Sequence, residues 1–113
     1  MKLKEIVSHL VIDPRKLTEY ALNLDNPVGS DKAIIFQRCL GFIRENHELL
    51  LAQISTKTLD AEAVLGLNDK HGQRYTVDLE IMGVQKQQEI VRTGRIVEPG
   101  SNEARLVTLF VRR

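Results

Sequence analysis

A chain of 113 residues, 42% hydrophobic and 27% charged, describes one ordinary globular domain over residues 1–113, with no room for a second core. The net charge is +1 and there is no tryptophan, so the chain has neither the basic stripe of a dedicated DNA binder nor a row of aromatic stacking platforms. A lone cysteine excludes an intrachain disulfide. No segment approaches the roughly 20 apolar residues needed to cross a bilayer, and the N-terminus has no apolar run of leader length, so a cytoplasmic protein without membrane contact is expected.

Taken in chain order, the first half reads as helical. Asp13-Pro14 is a helix start, with Asp as cap and Pro at the first helical position. The segment from Arg15 to Leu24 then places Leu17, Tyr20, Ala21 and Leu24 near one face. Asp25-Asn26-Pro27-Val28-Gly29-Ser30 is a loop, because Pro and Gly interrupt the pattern. Ser30 or Asp31 starts a second helix with Ile35, Phe36, Cys39 and Leu40 inward and Gly41 as its stop. On that face Cys39 reads as a small core residue, since no base sits beside it to make a reactive thiol. A third helix is expected from about Glu45 to about Ile54, carried by Leu49, Leu50, Leu51 and Ile54.

After Thr56 the hydrophobic period changes from helical to alternating. Ala61 to Leu67 forms a weak first strand, and Asp69-Lys70-His71-Gly72 a hairpin loop. Tyr75, Val77, Leu79 and Ile81 alternate with Arg74, Thr76, Asp78 and Glu80, the mark of a strand with one buried face. Two further runs come next, Gln88 to Val97 and Arg105 to Val111, with turns at Gly83 to Lys86 and Glu98 to Glu103. The expected fold is α+β: two or three N-terminal helices on one face of a four-stranded antiparallel meander, the other face free for a ligand.

Several short motifs occur in one order: Asp13-Pro14-Arg15-Lys16-Leu17, Asn26-Pro27-Val28-Gly29, Lys32-Ala33, Gly41-Phe42, Gly72-Gln73-Arg74-Tyr75, Val91-Arg92-Thr93 and Arg105-Leu106-Val107-Thr108. Together they resemble the bacterial family known as domain of unknown function 6883, from about Ile12 to Val111. Members of that family are small free-standing proteins and terminal modules of polymorphic toxins. The order of helices then strands is similar to metal-independent ribonucleases of the barnase, EndoU, colicin and RelE type, an analogy of fold alone. The family pattern has His-Pro where this chain has Asn26-Pro27, Trp where it has Arg95, and Pro where it has Ala104.

The chemistry implied is RNA cleavage without metal. It requires a base for the 2′-hydroxyl, an acid for the leaving 5′-oxygen and cations on the phosphorane. Arg92 and Arg105, on adjacent expected strands, are candidates for the cations, with Lys32 early in the second helix and its N-terminus beside them. Thr93 and Thr108 add hydroxyl donors, Tyr75 belongs to a matching motif, and Asn26 holds the place of the family histidine. His71, at a hairpin tip, is the candidate to replace that histidine. The same residues have plainer readings: Arg92 and Arg105 paired with Asp78, Glu80 or Glu89, Lys32 solvated, Asn26 a turn residue, and the threonines simply favoured in strands.

His9, His47 and His71 lie too far apart for simple metal-ligand spacing, and there is no Gly-rich phosphate loop, so neither metal nor cofactor is expected. Two functions are open. One is a ribonuclease-like toxin acting on RNA and restrained by a small antitoxin-like protein. The other is a non-catalytic module, or a decayed toxin of a toxin–antitoxin-like pair, whose sheet docks a partner protein, or a second copy through an edge strand.

Overall fold

The computed structural model describes residues 1–26 and 30–112. Pro27, Val28 and Gly29 of the expected loop lie outside the described residues. The chain enters through a 3₁₀ turn, Leu3–Glu5, and a short strand β1, His9–Val11. Asp13 then starts a helical turn as expected, its carboxylate accepting from the Arg15 N–H at 3.0 Å. The α-helix expected to run to Leu24 does not form. In its place stands a π-helical turn, Lys16–Ala21, in which the Leu22 N–H donates to the Leu17 carbonyl at 2.8 Å.

Helix α1, Ser30–Leu40, and helix α2, His47–Lys57, occupy the expected places. Gly41 ends α1 at φ +74°, a left-handed conformation that glycine adopts without strain. Four strands complete the chain: β2, Ala63–Asp69; β3, Gly72–Met82; β4, Gln88–Val97; and β5, Glu103–Val111. They form the expected antiparallel meander. The sheet nevertheless has five strands, in the order β1-β5-β4-β3-β2, and is mixed, because β1 joins β5 in parallel. The three residues of β1 give no readable alternation. Tertiary contacts hold them: Asn102 accepts from the Ser8 and His9 N–H groups through its carbonyl, and Leu10 faces Ala104.

Register explains why the alternation in the last strand is imperfect. Gly94 pairs with Thr108, but Arg95 pairs with Leu106, so Val107 is an extra residue. The inward side therefore passes from Val111 and Leu109 to Leu106 and Ala104, all buried. With Val77, Leu79, Ile81 and Val91 they meet Phe36 and Leu40 of α1 and Leu50 and Ile54 of α2. Leu3 and Val7 complete this core, so the N-terminal segment is part of the domain rather than an appendage. Cys39 is free and half-buried, packed against the same core.

Candidate functional site

Register also decides where the expected site residues stand. Asp78 pairs with Arg92, which faces Phe110, while Arg74 pairs with Ile96, which faces Arg105. Arg92 and Arg105 thus share the open face of the sheet. They stand about four residues apart along it, roughly 13 Å at the usual rise of a strand. Each is also ion-paired. Arg92 grips Asp78 with two hydrogen bonds, Nε to Oδ1 at 2.9 Å and Nη2 to Oδ2 at 3.1 Å, and Arg112 reaches the same carboxylate at 3.3 Å. The hydrogen bond from Arg92 holds the Asp78 carboxyl below the ordinary aspartate range. Arg105 pairs with Glu98 at 2.7 Å. Arg92 and Arg105 therefore stand apart, each on its own carboxylate, while Lys32 lies over Phe110, the cross-strand neighbour of Arg92.

Three further candidates lie elsewhere in the fold. Thr93 is buried on the helix side, its hydroxyl donating to the Val77 carbonyl at 2.7 Å. His71 sits on the β2–β3 hairpin, where its backbone N–H donates to Asp69 at 2.9 Å. Asn26 donates from Nδ2 to the Glu19 carbonyl at 3.1 Å, and its own carbonyl accepts from the Ser30 N–H at 2.9 Å. It thereby ties the π-helical turn to the start of α1.

A different set of side chains does come together. β1 covers only Glu103–Arg105 of β5, so beyond Arg105 the outer edge of β5 has no strand neighbour among the described residues. The π-helical turn and the first turn of α1 stand beside that edge. Between them lies a hollow of about 340 Å³ lined by Lys16, Tyr20, Ala21, Lys32, Val107, Thr108 and Leu109. Among the described residues neither Lys16 nor Lys32 is ion-paired. The Lys32 ammonium lies 5.3 Å from the centre of the Phe110 ring, a cation–π contact that leaves its charge available. The hollow therefore offers two cations and the hydroxyls of Tyr20 and Thr108, with no carboxylate on its described walls. That is a setting for an oxyanion.

Lys32 and Thr108 were legible as candidates in the sequence; Lys16 and Tyr20 were not. Their spacing of four was visible, but an ideal helix over Arg15 to Leu24 assigns Tyr20 to the buried face. In the structure Leu17 and Ala21 are buried while Tyr20 stays 52% exposed. A second, smaller hollow, about 250 Å³, begins on the other side of Val107 and Thr108 and is lined in part by Arg74, Tyr75, Thr76 and Gly94. Tyr75 and Thr108 of the expected binding set meet there. The hollow of about 440 Å³ beneath Lys57 carries Asp60, Asp78 and Glu80, whose charge disfavours a phosphate. Among the described residues no group of three or more His, Cys, Asp or Glu side chains gathers as a metal site. No helix among them is long and apolar enough to cross a membrane.

Arg95 stands where the family pattern has tryptophan, and it is 1% exposed. Its Nε donates to Thr93 at 3.2 Å and Nη2 to Thr58 at 3.0 Å, while Nη1 has no partner among the described residues. Burial lowers its pKa to about 10, so the group still carries its charge at neutral pH.

A short mixed sheet backed by helices, with a cationic cleft at its free edge, defines a small α+β module. The chain belongs to the family described as Domain of unknown function (DUF6883), whose model matches residues 2–113. It shares its fold with a chain of the "Contact-dependent growth inhibition toxin - immunity protein complex from Klebsiella pneumoniae 342". That likeness has a TM-score of 0.72 and 14% identity, over 96% of this chain and 98% of the other. No curated protein matches the sequence.

Proposed function

We propose that the protein is a toxin-like module that acts on RNA through the cleft at the free edge of β5. One observation carries this reading: Lys16 and Lys32 line one hollow with Tyr20 and Thr108, without a neutralising carboxylate among the lining residues. The kinship in fold with a chain of a toxin–immunity complex supports it. In the proposed chemistry an RNA phosphate sits between the two ammonium groups. The 2′-oxygen attacks the phosphorus and the 5′-oxygen leaves, while the lysines stabilise the charge gathering on the phosphorane. His71, on the hairpin at the opposite edge of the sheet, is remote from this cleft, so the 2′-hydroxyl gives its proton to solvent water and an ammonium of Lys16 or Lys32 protonates the leaving 5′-oxygen. Arg92 and Arg105, held by Asp78 and Glu98, serve the open sheet face.

Expression of the chain and incubation of the purified protein with total RNA test the reading. Slowed growth and cleaved RNA are expected. Replacing Lys16 and Lys32 together with alanine lowers the cleavage rate by about a hundredfold or more, whereas R92A/R105A stays within a few-fold of the parent. Intact RNA and unaffected growth would refute it.

A second reading has its own support. Val64, Leu65 and Leu67 on the edge strand β2 are 64%, 69% and 68% exposed. An apolar edge of this kind suits a protein partner, and in this reading the module is immunity-like and non-catalytic. A chain that cleaves no RNA, binds a partner protein and loses it on L65K/L67K substitution would favour this over the first.

A further inference from the structure

We infer that Tyr20 is a stacking platform for a nucleobase, and that the cleft it borders takes single-stranded rather than duplex RNA. This rests on the RNA reading above and adds the form of the substrate. Apolar rings are normally buried, and the others in this chain have packing roles. Phe36 and Phe42 are in the core, Phe110 lies under Lys32, and Tyr75 is half-buried across the sheet. Tyr20 alone among the described aromatic residues is exposed, at 52%, and it stands on the wall of the cationic hollow.

Its position is held from both sides of the chain. Buried Leu17 and Ala21 anchor the turn. The Leu17 carbonyl accepts from Leu22 at 2.8 Å, and the Tyr20 carbonyl accepts from Asn23 at 3.3 Å. A ring on an anchored turn loses little freedom when a base stacks on it. Lys16, one turn earlier, and Lys32, across the cleft, flank the ring with charges suited to the neighbouring phosphates. A π-face beside a cationic track is the combination that single-stranded nucleic acid engages, tolerant of base identity. Bases within a duplex already stack on each other, so the ring serves only a splayed base. The volume of about 340 Å³ is on the scale of a small-ligand site and far too narrow for a helix of RNA.

The test measures binding of a labelled unstructured RNA oligonucleotide and of a hairpin of equal composition, to the full chain and to Tyr20→Leu and Tyr20→Phe. Both substitutions fall on an exposed side chain, and a thermal melt of each variant verifies that the fold is kept. The parent is expected to prefer the unstructured oligonucleotide. Tyr20→Leu weakens it about tenfold, and Tyr20→Phe weakens it several-fold less than Tyr20→Leu does, because the ring remains. Equal binding by Tyr20→Leu, or by the hairpin, overturns the inference and leaves the RNA reading standing. Weakening by Tyr20→Phe as large as by Tyr20→Leu overturns it too, since the hydroxyl rather than the ring would then be responsible. A parent that binds neither RNA overturns the RNA reading itself, and this inference with it.

Discussion

Arg95 shows how one residue sets the character of the core. A guanidinium that is 1% exposed, with Nη1 unpartnered among the described residues, has given up hydration that two threonine hydroxyls only partly replace. Both hydroxyls keep a backbone acceptor without it, Thr93 on Val77 and Thr58 on Ile54. Arg95→Met therefore leaves no orphan and raises the thermal midpoint by several degrees; a lower midpoint would mean the arginine is net stabilising. Asn26 makes a second prediction at this scale. It joins the turn that carries Tyr20 to α1, at the position where the family pattern has histidine. Asn26→His supplies a group suited to proton transfer and raises RNA cleavage tenfold or more, read in the same assay. Asp78 makes a third. Its folded pKa lies below its unfolded value, so its contribution is present above about pH 4 and fades as pH falls through the folded pKa. Asp78→Asn removes that acid-side loss, visible as a flatter dependence of the midpoint on pH below about pH 4.

Elements succeed or fail in the sequence according to how local their causes are. The strand Gln88–Val97 and the helix stop at Gly41 were legible because alternation and glycine punctuation act within a few residues. Gly41 is also constrained in space: a Cβ there would stand 2.4 Å from Val84 Cγ2, in a conformation that side chains rarely adopt. Gly41→Ala should cost about 1–3 kcal/mol by denaturant titration, and a neutral result would show that the turn relaxes freely. The first helix misled for a physical reason. Its cap and its apolar spacing are real, yet the bonding closes five residues on, from Leu22 to Leu17. Sequence periodicity alone does not separate such a turn from an α-helix, and the difference moves Tyr20 from the core to the cleft.

At the scale of the molecule, the N-terminal segment departs furthest from expectation. Leu3 and Val7 enter the common core and β1 closes the end of β5 that the cleft does not use. Removing residues before Ile12 therefore strips part of the core and one strand, and should abolish a single cooperative melt; an unchanged melt would show that β1 is dispensable. The same closure defines the cleft, because it stops at Arg105 and leaves Val107–Leu109 uncovered.

The meander and two helices were written in the chain itself, since binary pattern and turn residues act locally. So was the family, and with it Lys32 and Thr108 as candidates. That Arg92 and Arg105 are held by carboxylates emerged from the folded molecule, because partners depend on register and loop path. So did β1, whose pairing joins residues about ninety apart in the chain. Lys16 and Tyr20 likewise come beside Lys32 and Thr108 only in three dimensions, since a cleft exists where separate elements meet.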